Sequence, residues 1–293
     1  MKENTTVTRR AAMGALAGTV GAACLASGAS CAQEAAPAAA AGGGRIRQSV
    51  SRWCYGKIPM DEFCAAIKGM GIHGMDLVGP DDWDAVLKNG VEVALSTGPG
   101  DIKDGWNDPA NHERLIAGAE KMFPELQKRG IRNMVVFSGN RKGMPDDQGL
   151  KNCAAGLKQI LPAAEKAGVT VIMELLNSKR NHKDYMCDRT PWGAELAEAL
   201  GAKNFGLLYD VYHMQIMEGD VIDTIREFHP VIAHYHTGGV PGRHEIDGGQ
   251  ELNYRRICEA IAETGFTGWL AHEFSPTRDP LTSLREAYDI CNV

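Results

Sequence analysis

Residues 204–220, NFGLLYDVYHMQIMEGD, decide the fold that this sequence predicts. An apolar run over residues 205–209 ends abruptly at Asp210, and His213 follows three residues later. An apolar segment that ends on a carboxylate is typical of a buried strand that presents polar groups at its C-terminal end. The stretch therefore predicts a strand that delivers polar side chains to a site.

Three further apolar runs in this half of the chain end in the same way. Residues 171–173, 231–233 and 269–271 lead, in that order, to Glu174, to His234 and His236, and to His272 and Glu273. Four strands that each end on a metal-type ligand indicate one site, built where neighbouring strand ends meet.

Strand-length and helix-length segments alternate along the rest of the chain, with glycine after several helices. Eight such units in one domain predict a (β/α)8 TIM barrel. A doubly wound sheet is disfavoured, because no GxGxxG follows the first strand. The predicted strands cover residues 46–50, 73–78, 91–96, 133–138, 170–176, 205–211, 232–237 and 268–274. The predicted helices cover residues 59–70, a segment from 81, and residues 112–129, 147–167, 193–200, 221–228, 254–263 and 281–290.

The N-terminus has the composition of an export signal. Lys2, Arg9 and Arg10 precede an uncharged, small-residue stretch at residues 11–26, and Thr8-Arg9-Arg10 resembles a twin-arginine motif. A disordered Ala-rich tail is the alternative. We therefore predict a signal at residues 1–32, a flexible linker at 33–44, a catalytic barrel at 45–293 and export to the periplasm. The apolar stretch is too short and too rich in Ala and Gly for a membrane span.

The net charge limits the classes of partner, and the cysteine spacing indicates the state of the thiols. The formal net charge is −6, and it becomes −8 if residues 1–32 are removed. An acidic surface disfavours nucleic acid and anionic membranes as partners. Six cysteines remain outside the signal, scattered and without a CxxC pair, which indicates buried free thiols. A small-molecule substrate is the expected partner, and homo-oligomerisation is left open.

Strand alternation selects among the candidate ligands. His272 and Glu273 are adjacent, so only one of them can face the barrel mouth, whereas His234 lies one layer deeper than His236 on the same face. Three carboxylates and one imidazole suit an octahedral divalent ion. We expect Mn²⁺, with Mg²⁺, Co²⁺ and Zn²⁺ as alternatives. Its ligands are expected to be Glu174, Asp210, His236 and Glu273. His234 is expected to be a core residue or to contact a ligand without binding the ion.

Three polar residues near the predicted strand ends are candidates for substrate binding. His213 lies just beyond the sixth strand, Arg243 in the turn after the seventh, and Asn177 just past the fifth. Each could hold a substrate oxygen. The alternatives are a packed histidine, a solvated loop arginine and a turn-forming asparagine.

Four segments resemble the hydroxypyruvate isomerase family, which belongs to the xylose isomerase-like TIM barrels together with the ketose 3-epimerases. The resemblance covers residues 171–276 in detail and the earlier part only in architecture. The segments are VIMELLN (171–177), LLYDVYHMQIMEGD (207–220), HYHTGGVPGRHEIDGGQELNY (234–254) and HEFSP (272–276).

The resemblance implies a metal-dependent isomerase that works through an enediolate, with Glu174 and Glu273 as the acid/base pair and His213 and Arg243 on substrate oxygens. Two departures leave the substrate open. Hydroxypyruvate isomerases often carry Gln at the position of His236, where ketose 3-epimerases carry His. Arg180 stands where epimerases place an acidic residue. A ketose 3-epimerase or a related sugar-processing enzyme is therefore the alternative, followed by an apurinic endonuclease-type phosphodiesterase and a non-catalytic sugar-binding barrel.

Overall fold

The protein is described by a computed structural model that covers residues 44–293. Within this range, eight parallel strands close into a barrel in chain order, and β1 pairs with β8. The predicted TIM barrel is confirmed. The strands are β1 Arg47–Ser51, β2 Gly74–Val78, β3 Glu92–Ser96, β4 Asn133–Val136, β5 Thr170–Glu174, β6 Phe205–Asp210, β7 Ile232–Thr237 and β8 Trp269–His272.

Helices follow the strands and surround the barrel. They are α1 Met60–Met70, α2 Trp83–Lys88, α3 His112–Arg129, α4 Asp146–Ala167, α5 Thr190–Leu200, α6 Val211–Met217, α7 Val221–Phe228, α8 Tyr254–Glu263 and α9 Pro280–Cys291. The sequence predicted all of them except α6, which begins directly after β6. Asp210 caps α6, because its side chain accepts a hydrogen bond from the amide of His213.

Glycine ends the two longest helices as their sequences predict. Gly130 follows α3 with φ 69°, and Gly168 follows α4 with φ 70°. This left-handed conformation is accessible to glycine without a steric penalty. Each helix can therefore turn sharply into the strand that follows it.

Two apolar clusters hold the barrel together. The larger cluster lies between the strands and the helices and includes Phe63, Leu115 and Tyr235. The smaller one fills part of the barrel interior with buried side chains from four consecutive strands, Leu95, Val135, Ile172 and Leu208. Since side chains alternate along a strand, the residues two positions beyond Ile172 and Leu208 also face inward, and these are Glu174 and Asp210. The apolar interior thus supports two of the candidate ligands from below.

The predicted export signal and almost all of the predicted linker lie outside the described residues. Within residues 44–293, no helix is both long and apolar enough to cross a membrane. The six cysteines in this range are free thiols, and all but Cys54 are buried, which agrees with the prediction.

Candidate active site

Four side chains from neighbouring strand ends meet at the C-terminal mouth of the barrel. Each offers one ligand atom, and these atoms lie within 4.8 Å of one another. All four side chains are buried. The structure thus brings together the residues that the strand-end pattern selected: Glu174 at the end of β5, Asp210 at the end of β6, His236 in β7 and Glu273 directly after β8.

The imidazole of His236 faces the three carboxylates through Nδ1. This nitrogen lies 2.5 Å from Glu273 Oε2, 3.7 Å from Glu174 Oε1 and 3.9 Å from Asp210 Oδ2. It has no hydrogen-bond partner of acceptable geometry, although Glu273 is so close. A buried aromatic nitrogen among carboxylate oxygens fits the donor set of a divalent cation.

Arg243 provides a positive charge beside the cluster. Its Nη2 donates to Asp210 Oδ2 at 2.6 Å and to Glu273 Oε2 at 2.5 Å. Its guanidinium lies 4.9 Å from the ring centre of Tyr212. Burial by itself lowers the pKa of Arg243, but the charges of Asp210 and Glu273 outweigh burial and raise it. The guanidinium therefore stays charged and partly neutralises the negative charge of Asp210 and Glu273.

The two glutamates respond to this environment in opposite directions. Burial, reinforced by the charge of Glu273, raises the pKa of Glu174 to about 8. Burial also acts to raise the pKa of Glu273, but Arg243 and His236 outweigh it and lower that pKa to about 2. Burial raises the pKa of Asp210 as well. Converging carboxylates repel one another, so a proton is held most readily on Glu174, the one that Arg243 does not contact.

His213 and Asn177 lie beside Arg243. Asn177 Oδ1 accepts from the amides of Arg180 and Asn181, which directs Asn177 Nδ2 toward His213 Nδ1 at 2.6 Å. On the other side of the ring, Arg243 Nη1 lies 2.9 Å from His213 Nε2. Burial and the charge of Arg243 lower the pKa of His213 well below its usual value, so the ring is neutral. A neutral imidazole accepts at one nitrogen only, yet His213 faces a donor at both.

The other two strand-end histidines point away from the cluster. His272 Nε2 lies 2.8 Å from Gln48 Oε1, and burial lowers the pKa of His272 to about 3. His234 remains in the barrel interior, where its Nε2 lies 2.5 Å from Asp76 Oδ2. Strand alternation therefore turns Glu273 toward the mouth and His272 away from it, as the sequence predicted.

Two residues near the ligands were not selected from the sequence. Trp53, 52% exposed, donates from Nε1 to Glu273 Oε1 at 2.6 Å. Asp76 is fully buried in β2 and contacts His236. A lone carboxylate inside the apolar strand GMDLV was the available signal for Asp76.

Comparisons with known proteins identify the family of the chain. The profile of the family described as Xylose isomerase-like TIM barrel matches residues 83–291. A 2-oxo-tetronate isomerase from Cupriavidus necator is 32% identical over 233 residues, which cover 74% of this chain and 87% of that protein. The hydroxypyruvate isomerase of Escherichia coli is 26% identical over 237 residues, covering 73% and 87%.

A solved structure shares the fold. The crystal structure of an AP endonuclease, family 2, from Brucella melitensis superposes with a TM-score of 0.74 and 22% identity, covering 82% of this chain and 97% of that one. At this level of identity the likeness concerns the barrel and carries no information on the reaction.

Proposed function

Because the chain belongs to the xylose isomerase-like TIM-barrel family, we propose that it is a metal-dependent isomerase of a small hydroxy-carbonyl compound. The observation that carries the proposal is the convergence of four ligand atoms within 4.8 Å at the barrel mouth. One divalent cation would be held there by Glu174, Asp210, His236 and Glu273.

The residues present fit such an ion. Three carboxylates and one imidazole are hard or borderline donors, and such donors suit Mn²⁺, Mg²⁺ or Co²⁺. A structural zinc site would instead be closed and built mainly from thiolates. Buried carboxylates this close together need a positive charge, and Arg243 contacts only Asp210 and Glu273 among them. Mn²⁺ is the ion that we propose.

The bound ion would supply charge that stabilises an enediolate as it forms from the substrate. The chain supplies the proton carriers. One glutamate removes a proton from the carbon beside the carbonyl group, and a proton is returned to the neighbouring carbon while the oxygen proton moves between the two oxygens. Glu273 is positioned for this by Trp53, which holds Oε1. Glu174 is the second carrier.

Arg243 and His213 would bind the end of the substrate that does not react. The guanidinium can pair with a carboxylate, and both substrates named for the two relatives, 2-oxo-tetronate and hydroxypyruvate, are carboxylates. His213 faces donors at both nitrogens, and Asp210 Oδ2 lies 3.8 Å from Nε2, so one ring N–H has no acceptor within hydrogen-bond distance. A substrate oxygen between His213 and Arg243 would provide that acceptor. Asn177 would orient the His213 ring and would not contact the substrate itself.

A ketose 3-epimerase is the second candidate, and the observation that favours it is His236 at the ligand position. Epimerisation would use the same cluster, with the two glutamates on opposite faces of one carbon. A phosphodiesterase would need further zinc ligands. Within residues 44–293, the other group with ligand spacing consists of Asp76, His234 and the already engaged His236. This group adds only two new ligands, Asp76 and His234, to those of the first site. The small number of further ligands and the negative net charge argue against a nuclease.

Deuterium exchange tests the proposal. Purified protein loaded with Mn²⁺ is incubated in D₂O with hydroxypyruvate, 2-oxo-tetronate, fructose and psicose, and each compound is examined by NMR. We expect deuterium beside the carbonyl group and conversion of a 2-oxo acid into its 3-oxo isomer, both abolished by EDTA and restored by Mn²⁺. Exchange only into a ketose would favour the epimerase. No exchange into any compound would refute both.

A further inference from the structure

His236 uses its two ring nitrogens in different directions. Nδ1 faces the carboxylate cluster, and Nε2 lies 3.2 Å from Asp76 Oδ2 on the opposite side of the ring. The same carboxylate oxygen lies 2.5 Å from Nε2 of His234. Asp76, His234 and His236 are all 0% exposed. Asp76 thus contacts the ring of a candidate ligand without belonging to the cluster itself.

The backbone around Asp76 is irregular in a way that serves this contact. Pairing between β2 and β3 shifts register on both sides of Asp76. The next residue, Leu77, has φ 55°, a left-handed conformation that a bulky non-glycine residue adopts at a cost. Leu77 also packs against the apolar cluster inside the barrel. Bulges of this kind re-aim side chains next to active sites, and here the bulge directly follows the carboxylate that reaches His236.

A second cation between Asp76, His234 and His236 is the competing explanation, because their ligand atoms also lie within 4.8 Å of one another. The arrangement favours hydrogen bonding. Asp76 is the single carboxylate of this group, and its Oδ2 lies 2.5 Å from His234 Nε2 and 3.2 Å from His236 Nε2, as expected of one acceptor shared by two imidazole N–H groups. The number of metal ions bound per chain distinguishes the two explanations.

We propose that Asp76 is a positioning residue for the metal ligand His236. The inference rests on the proposed metal site. Asp76 accepts the N–H of His236 Nε2, so the ring proton stays on that nitrogen and the lone pair of Nδ1 faces the cation. A carboxylate behind a ligating imidazole fixes the tautomer and ring orientation and makes the imidazole more basic. His234 holds Asp76 Oδ2 in place from the other side.

Metal affinity measures this role directly. The isosteric variant Asp76→Asn should bind Co²⁺ about 10- to 100-fold more weakly than the wild type in calorimetric titration, with unchanged circular dichroism. In a His236→Ala background the same change should have no further effect, because Asp76 acts only through His236. Asp188→Asn is the matched control. Asp188 is a buried aspartate paired with Arg141 and bonded to Ser178, and its loss should leave affinity unchanged.

A spectroscopic signature, visible already in the wild type, separates positioning from general damage to the barrel. The proton NMR spectrum of the Co²⁺-loaded wild type should contain one strongly shifted, exchangeable N–H signal from a coordinated imidazole, slow to exchange because Nε2 is buried on Asp76. In Asp76→Asn this signal should shift and exchange faster.

The outcomes separate this inference from the proposed function. Equal Co²⁺ affinity in wild type and Asp76→Asn, or no shifted N–H in the wild type, would overturn the positioning role even if the protein catalyses exchange. Two cobalt ions per wild-type chain and one in the variant would overturn it in favour of a second metal site. Weaker binding in the variant, in a protein that exchanges no substrate, would support the inference and refute the proposed isomerase.

Discussion

Replacing Glu245 by glutamine should remove a pH-dependent part of the stability that links the loops after β7 and β8. The buried carboxylate accepts from the Thr277 amide at 2.8 Å, the Thr277 hydroxyl at 2.9 Å and the Ser283 hydroxyl at 2.9 Å. Burial by itself raises the pKa of Glu245, but hydrogen bonds from amides and hydroxyls outweigh burial and lower it from 4.5 to about 2. This difference corresponds to about 3 kcal/mol of folding free energy.

The direction of the pH dependence follows from the lowered pKa. As the pH falls, the unfolded chain binds the Glu245 proton before the folded chain does, which favours unfolding. The contribution is therefore complete well above the ordinary pKa and is lost between about pH 5 and pH 2. At pH 3 about 2 kcal/mol of it should already be gone.

Urea unfolding at pH 7 and pH 3, followed by tryptophan fluorescence and circular dichroism, measures the effect. Glu245→Gln should be less stable than the wild type by about 2–3 kcal/mol at pH 7, and the gap should shrink to about 1 kcal/mol at pH 3. Glu286→Gln is the control, because Glu286 is 42% exposed and pairs with Arg278 at the surface. It should change stability by less than about 1 kcal/mol at both pH values. A gap for Glu245→Gln that is equal at pH 7 and pH 3 would refute the reasoning.

Four further predictions concern the site and the N-terminus. Glu273→Gln should leave the fold intact by circular dichroism and lower turnover by at least about 100-fold, so near-normal activity would disprove its role as a proton carrier. Trp53→Phe removes the N–H held on Glu273 Oε1 and should lower kcat about tenfold at an unchanged melting temperature, whereas an equal loss of stability would indicate a packing role. His236→Gln should still bind Mn²⁺ in a calorimetric titration, since an amide oxygen can replace the imidazole, and complete loss of binding would contradict this. Changing Arg9 and Arg10 to lysine should retain the protein in the cytoplasm in cell fractionation, whereas normal export would argue against a twin-arginine signal.

Strand ends could be predicted from this sequence because their signal is local. A run of apolar residues that stops at a carboxylate marks both the strand and the residue at the barrel mouth. The strands themselves were predicted to run to 176 and 211, two residues and one residue too far, because Glu174 and Asp210 end them in the structure. Helix α6 was missed because Asp210 both ends β6 and caps the helix, which leaves no separate start signal. The strand and helix patterns also merge at this point, because apolar residues continue past Asp210.

The role of Asp76 could not be predicted, because its partners are distant in sequence. His234 and His236 lie 158 and 160 residues away from Asp76, and only closure of the barrel through the pairing of β1 with β8 brings side chains of β2 and β7 into contact. The bulge in β2 could not be predicted from the sequence either. Leucine is not a residue that favours the left-handed conformation, so nothing in the sequence marks Leu77 as the point where β2 becomes irregular.

The four candidate ligands are oriented by contacts from different parts of the barrel, and this difference predicts which substitutions affect which property of the site. Glu174 and Asp210 lie above apolar side chains of their own strands, Ile172 and Leu208, which cannot orient a carboxylate by hydrogen bonding. Hydrogen bonds orient Asp210 from the loop side, through Arg243 and the amide at the start of α6.

Glu273 is likewise held from the loop side, by Trp53 and Arg243. His236 alone among the four has a charged partner inside the barrel, Asp76. Loop substitutions should therefore alter proton transfer and substrate choice while leaving the imidazole in place, whereas substitutions at Asp76 should weaken metal binding first. A loop variant that weakens Co²⁺ binding as much as Asp76→Asn, with Glu273 and Asp210 intact, would contradict this division.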